Sequence, residues 1–262
     1  MSKKKVSKNL AVKNDNAIST EFKNMFDQSL VQNESKVDTE DILISKIAVV
    51  QKMSKAVDEG AVVGSYVDSV EGNELIEKGG SLDLFFFGYH KLIQEFKVEG
   101  NEKTYLRTVN YDKNLAFDEE TNEGTIHRDT CIRFYALSVE DVLDGMAFPY
   151  IVEFKRTSRN AGQKLATQIA KMSSILGVPS YAKVFSLSAK EQQKDEHKYF
   201  VKEVSIGRDI NADELNAVEL WVSQVQKRQA EGTIKTDETD EGEAINKQAD
   251  VVDGEVRQGS QY

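Results

Sequence analysis

The sequence predicts a β-rich α+β domain over residues 41–228, with one internal helix, one C-terminal helix and polar segments at both ends. Three observations carry this expectation. Short apolar or alternating runs, punctuated by glycine, recur from residue 41 onward. Helical spacing of apolar residues appears within the domain only at 161–176 and 211–225. Residues 1–17 and 230–262 hold few large apolar groups and cannot bury enough surface to offset the entropy of ordering.

In order along the chain, residues 1–17 read as a disordered basic arm. Residues 18–32 read as a short amphipathic helix that Ser19 or Thr20 can cap, with Phe22, Met25, Phe26 and Leu30 on one face. A polar linker at 33–40 completes this first segment, 1–40. Residues 41–51 then predict a strand, or a strand running into a turn of helix. Residues 61–69 also predict a strand, where Val62, Val63, Tyr66 and Val67 precede the turn Glu71-Gly72-Asn73. Gly79-Gly80 breaks the chain before a strand at 82–89, and 91–98 is its expected hairpin partner. In 105–111, Tyr105, Arg107, Val109 and Tyr111 fall on one face and Leu106 and Thr108 on the other. In 130–137, Ile132, Phe134 and Ala136 oppose Arg133 and Tyr135, and a further strand follows at 150–154.

Residues 161–176 predict a helix with Leu165, Ile169, Met172 and Leu176 near one face, stopped by Gly177 and Pro179. Strands at 180–187 and 198–206 are expected around a charged loop at 190–197. Asn211 caps a last helix with Glu214 as its capping-box partner, and Leu215, Val218, Val222 and Val225 form its apolar stripe. Residues 229–262 read as a disordered acidic tail.

Composition narrows the function. The 262 residues carry a net charge of −10 and a mean hydropathy of −0.50. No apolar run approaches the roughly 20 residues needed to span a bilayer, so no membrane partner is expected. The polar start of the chain lacks the apolar centre of a secretion signal. The single Cys131 excludes an internal disulfide and fits a cytoplasmic protein. Residues 233–262 hold eight acids and three bases, a net of −5, which leaves −5 for residues 1–232. Any anion site must therefore be local.

One such locality stands out. Residues 154–190 contain no Asp or Glu, where the chain's 44 acids in 262 residues would place about six. The same stretch holds Lys155, Arg156, Arg159, Lys164, Lys171, Lys183 and Lys190, with Phe154, Tyr181 and Phe185 among them. A cationic, aromatic-bearing zone in an acidic chain is the pattern of a polyanion-binding surface. Aromatics and bases also share strands at Tyr105/Arg107 and Arg133/Tyr135. Exposed rings stack unpaired bases while Lys and Arg track phosphates, and a curved open sheet face suits a single strand. The acidic tail can occupy a basic groove or recruit basic partner proteins.

Catalytic motifs are sparse. Gly60 and Gly64 lack the lysine of a phosphate loop, and His90, His127, His197 and Cys131 lack zinc-ligand spacing. There is no Gly-x-Ser-x-Gly elbow, and no cofactor is expected. One enzyme-like pattern remains as an alternative: Asp144, then Glu153-Phe154-Lys155 ending an apolar strand, with Gln163 and Gln168 on the next helix. Mg²⁺-dependent nucleases place an Asp before Glu-x-Lys so that two carboxylates hold the metal and the lysine supports the attacking water. A third alternative is a virion or scaffold protein assembled through the helix at 18–32.

The span 149–165, Pro-Tyr-Ile-Val-Glu-Phe-Lys-Arg-Thr-Ser-Arg-Asn-Ala-Gly-Gln-Lys-Leu, resembles part of a group of bacteriophage single-stranded DNA-binding proteins, as does 177–187, Gly-Val-Pro-Ser-Tyr-Ala-Lys-Val-Phe-Ser-Leu. In that group an apolar strand ends in a basic Ser/Thr turn, followed by a short Gly-Lys helix and an aromatic, basic strand. Residues 42–51 and the run Gly64-Ser-Tyr-Val-Asp-Ser-Val-Glu-Gly are also similar, so the resemblance covers 40–228. It implies an OB-like β-barrel that coats single-stranded DNA in phage replication or recombination in the host cytoplasm, without catalysis. Lys155, Arg156, Arg159 and Lys164 match as nucleic-acid contacts. Replication or recombination proteins are implied as partners of the tail, and self-association is left open. The chain departs from the group in ending Gly-Ser-Gln-Tyr262 with its acids further back.

Overall fold

Twelve strands and four α-helices form among the described residues. The strands are β1 (Leu43–Ile44), β2 (Ile47–Val49), β3 (Tyr66–Asp68), β4 (Glu74–Ile76), β5 (Ser81–Glu99), β6 (Glu102–Asn110), β7 (Asp118–Thr121), β8 (Gly124–Ser138), β9 (Tyr150–Lys155), β10 (Lys183–Lys194), β11 (His197–Asp209) and β12 (Lys235–Thr236). The helices are α1 (Lys55–Asp58), α2 (Val139–Asp144), α3 (Arg159–Lys171) and α4 (Ala212–Ala230). The computed structural model describes residues 43–52, 54–100, 102–122, 124–145, 148–230 and 235–236. The basic arm, the helix expected at 18–32, the linker, and the acidic tail apart from 229–230 and 235–236 lie outside the described residues.

The longest pairing joins β5 to β8, antiparallel, from Leu84↔Ser138 to Val98↔Thr125. Each of these strands changes its outer neighbour part-way along. At the near end β10 lies on β5 (Phe185↔Leu84 to Ser188↔Ser81) and β9 on β8 (Cys131↔Lys155 to Ala136↔Tyr150). At the far end β6 lies on β5 (Leu92↔Asn110 to Glu99↔Glu102) and β7 on β8 (Asp118↔His127 to Thr121↔Gly124). With β11 outside β10, this makes a seven-stranded antiparallel sheet that forks at both long strands. β2, β3 and β4 form a separate antiparallel sheet, and β1 with β12 a short parallel pair.

The β-rich fold with an internal and a C-terminal helix agrees with expectation, but the OB-like closed barrel does not. The sheet is open. Backbone groups at its edges find other partners: the Gln51 amide donates to the Phe200 carbonyl (2.7 Å) and accepts from the Phe200 N–H (3.0 Å). The Ser158 hydroxyl accepts from the Lys202 N–H (3.0 Å), and the Ile151 N–H donates to the Ser45 carbonyl (2.8 Å). An edge whose groups are already satisfied does not need a closing strand.

Both faces of the near half are covered. Leu84, Phe86, Ile132, Phe134, Val152, Phe154, Phe185 and Leu187 pack beneath the small sheet and α3. Phe85, Phe87, Tyr135, Leu137, Ile151 and Val184 pack beneath α2 and α4, whose Val218, Val222 and Val225 are buried. Two-sided burial explains the unbroken apolar run Leu84-Phe85-Phe86-Phe87, because neither phase of the alternation meets water. Each buried valine stabilises by roughly 1.5–3 kcal/mol. Among the described residues no helix is long and apolar enough to cross a membrane.

Local expectations hold where the chemistry is local. The Glu214 N–H donates to Asn211 Oδ1 (2.9 Å) and the Asn211 N–H to Glu214 Oε2 (3.0 Å), the predicted capping box. The helix at 161–176 ends at Gly177 (φ 66°), but begins at Arg159 and finishes in a π-turn, Met172–Leu176. Three expectations are corrected. The hairpin expected between 82–89 and 91–98 is one continuous strand, because Gly88 (φ 60°) makes a bulge and not a turn. The alternation of 105–111 breaks at a register shift opposite Glu95/Phe96, which puts Tyr105 on the face opposite Arg107. The loop expected at 190–197 is strand as far as Lys194, reversed by Asp195 at φ 53°.

The placement of α3 depends on a small residue. A Cβ on Gly162 would lie 2.5 Å from Phe154 Cβ and 2.8 Å from its Cγ, both near the rigid base of a buried ring. Gly162→Ala gains up to about 1 kcal/mol of helix propensity but forces α3 off the sheet. The expected net result is a loss of about 1–2 kcal/mol, read as a lower urea midpoint with an unchanged slope.

Candidate nucleic-acid interface

The acid-free stretch runs through β9, a 3-10 turn (Arg156–Ser158), α3, the π-turn, a second 3-10 turn (Ser180–Ala182) and into β10. Four of its seven bases are answered by carboxylates from elsewhere in the chain. Lys155 Nζ lies 3.9 Å from Glu153. Arg156 Nε donates to Asp129 (2.9 Å) from a backbone at φ 47°, a left-handed conformation that costs a non-glycine residue about 1–2 kcal/mol. Lys183 pairs with Asp209, and Lys190 with Glu203 at 3.2 Å. The other three, Arg159, Lys164 and Lys171, all belong to α3. They are exposed and have no carboxylate partner among the described residues. Gly162, Leu165 and Met172 hold the inner side of the helix against the sheet, so Lys164 and Lys171 fall on its outer side and Arg159 on its first turn.

The predicted aromatic platform is largely absent. Phe185 and Tyr135 are core residues: Phe185 meets Phe86 edge-on at 5.8 Å, and Tyr135 stacks on Phe87 at 5.9 Å. Tyr181 is half-buried against the cluster beneath α4. Tyr105 is half-buried edge-on to Phe96 at 5.8 Å. Arg107 is exposed, but its Nε donates to the buried Glu95 (2.8 Å). Arg133 is buried. A half-apolar strand does not reveal from sequence which of its faces a helix covers, and here α4 covers the face of Tyr135. The exposed rings among the described residues are others: Tyr89, Tyr111, Phe117 and Phe148. The sequence signal that leads to Tyr89 is Gly88, read as a bulge.

Glu153 explains why Arg133 and Lys155 do not reach solvent chemistry. Its carboxylate accepts from Arg133 Nε (2.9 Å) and Nη2 (2.6 Å), and more weakly from Gln94 (3.5 Å). Burial alone would raise this carboxyl, but the charges of Lys46, Arg133 and Lys155 outweigh it and hold it well below the usual carboxylate range. Asp129, near the far end of β8, repeats the pattern. Burial opposes its ionisation, and His127, Arg156 and Lys103 outweigh burial and hold the carboxyl low. The two carboxylates of the Asp…Glu-x-Lys pattern sit on different elements, Asp144 at the end of α2 beside Asp141 and Glu153 inside β9. Among the described residues no group of three or more His, Cys, Asp or Glu is placed to hold a metal ion.

Comparison with protein-family models, with curated proteins and with solved structures returns no match.

Two outcomes follow from the buried carboxylates. Both are ionised more readily in the folded chain than in the unfolded one. They contribute stability that is present above the unfolded carboxylate value of about 4 and is lost as pH falls below it. The urea midpoint is expected to fall steeply between about pH 5 and pH 2. Glu153→Gln leaves Arg133 and Lys46 buried without their counter-charge, so at pH 7 it is expected to cost about 3–5 kcal/mol and to flatten that acid limb.

Proposed function

We propose that the chain binds and coats single-stranded DNA, with α3 as the principal contact to its phosphates. The observation that carries this reading is the charge pairing of residues 154–190. The fold neutralises the cations at both ends of the stretch and leaves Arg159, Lys164 and Lys171 together, exposed, on one helix. In a chain of net charge −10, three neighbouring cations with no carboxylate partner among the described residues make a local field that attracts a polyanion. Lys155 and Arg156, matched as contacts by the resemblance, serve this reading indirectly. Arg156 ties the turn before α3 to Asp129, and Lys155 sits against Glu153 at the end of β9.

A flexible strand can follow the curved side of an open sheet where a stiff duplex cannot, which favours single-stranded DNA. Work in the host cytoplasm alongside replication or recombination proteins, and self-association along the DNA, belong to the same proposal. The acidic tail would supply the surface for protein partners.

The test is fluorescence anisotropy of a labelled 30-mer single strand titrated with the full chain across a salt series, with Mg²⁺ present. The expected result is salt-sensitive binding with the strand recovered intact. The triple variant Arg159→Glu, Lys164→Glu, Lys171→Glu is expected to bind at least tenfold more weakly at low salt. Its log–log salt slope should be shallower by about 2, since each phosphate contact on a single strand contributes about 0.7. All three side chains are exposed, so the circular dichroism spectrum and urea midpoint should stay as in the parent. Unchanged affinity and slope would remove α3 from the interface, and a degraded strand would overturn the non-catalytic reading.

A further inference from the structure

We propose that Tyr89 and Tyr111, with Lys91 between them, form a stacking platform for the unpaired bases of the bound strand. The inference rests on the single-strand reading above and adds the site that would recognise bases.

The bulge at Gly88 creates the arrangement. Before it, Phe87 pairs with Tyr135 and faces α4; after it, Tyr89 pairs with Phe134 and Lys91 with Ile132, on the side that carries α3. Unbroken alternation would have turned Tyr89 and Lys91 the other way. The Tyr111 N–H donates to the Lys91 carbonyl (3.3 Å), placing Tyr111 across from Lys91, and the ammonium of Lys91 lies 3.4 Å from the centre of the Tyr111 ring. Tyr89 is 49% exposed and Tyr111 41%, so each ring offers surface to solvent. The support of Tyr89 is Phe134, fully buried, at 5.6 Å between ring centres. Phe134 in turn meets Phe154 edge-on at 6.0 Å, and Phe154 is the ring on which Gly162 of α3 sits. Two rings therefore connect Tyr89 to the cationic helix on the same side of the sheet.

The chemistry fits a nucleobase better than an apolar peptide. Lys91 has no carboxylate partner among the described residues, and its charge over the Tyr111 face favours a site for an electron-rich, anion-bearing ligand. Held rings lose little freedom when a base lands on them, and stacking tolerates any base because every base has a π-face. The three residues would add base contacts to phosphate contacts made by α3, which separates single strands from a duplex whose bases are hidden.

The experiment compares a 30-mer of thymidylate with an abasic 30-mer of the same backbone, both by anisotropy at one low salt concentration, using the full chain. The parent protein is expected to prefer the thymidylate strand. Tyr89→Ala with Tyr111→Ala should weaken thymidylate binding at least tenfold and leave abasic binding within about twofold. The α3 triple variant should weaken both strands alike. Tyr89→Phe with Tyr111→Phe keeps the rings and is expected to keep the preference, which also guards against a fold defect in the alanine variant. Equal affinity of the parent for the two strands, or an alanine variant that retains the preference, overturns the platform while leaving the phosphate site standing. If the parent binds neither strand, both proposals fall together.

Discussion

The pairing of β5 with β8 is the constraint on which the rest of the fold depends. It joins segments some 40 residues apart and runs unbroken in partnership, though not in register, from Leu84 to Val98. Every other strand of the large sheet attaches to one half or the other of this pair or to a strand that does. The two halves are different environments. The near half is buried on both sides and carries aromatic and aliphatic groups. The far half carries Gln94, Glu95, His127, Arg128 and Asp129, buried and paired among themselves and with β6, β7, β9 and the turn after β9. Arg128 shows the logic: it donates to Glu95 (2.7 Å), Glu119 (2.5 Å) and the Ala116 carbonyl (3.0 Å), so its guanidinium leaves water only where three acceptors replace it.

The buried pairs decide which cations remain available. Arg133 and Lys155 face Glu153, Arg156 and Lys103 face Asp129, and Arg107 and Arg128 face Glu95. A sequence count of positive residues overstates the exposed positive surface because it includes these. The carboxylates that subtract from it lie outside the acid-free stretch, most of them on other strands, so a stretch without acids does not by itself make a stretch without partners. What survives the subtraction is α3. Its position on the sheet is set by Gly162, and the turn that leads into it is anchored by Arg156 despite the backbone strain at that residue.

Much of the fold was legible where the determining interactions are short-range. The capping box of Asn211 and Glu214, the stop at Gly177 and the two faces of 130–137 follow from neighbours within one or two turns or strand steps. The open sheet was not legible, because the groups that satisfy its edges, such as Gln51 and Ser158, are side chains meeting backbone more than 40 residues away. Nor were the faces of β5 and β6 legible. Period-2 alternation assigns sides only until a bulge intervenes, and these strands carry shifts at Gly88 and opposite Glu95/Phe96. For the proposed site the division is similar. Composition singles out Arg159 and Lys164, which are exposed, whereas Tyr135 and Phe185 read as exposed rings because sequence does not show the layer that covers them.

The bulge at Gly88 also bears on how such a chain can change over generations. A backbone at φ 60°, with Tyr135 Cδ2 only 2.9 Å from where a Cβ would sit, admits glycine and little else. Its larger effect is on which way the strand faces. Gly88 is the extra residue of the bulge, so a side chain that flattened it while the strand kept its length would exchange the two sides of the far half of β5, turning Leu92 and Gln94 toward α3 and Tyr89 and Lys91 away from it. Loss of Gly88 itself would restore regular alternation, with Phe87 still opposite Tyr135 and Tyr89 opposite Phe134. Insertions and deletions in the turns between strands leave such assignments untouched, whereas a residue gained or lost elsewhere in this strand acts as a frameshift in three dimensions unless a bulge absorbs it.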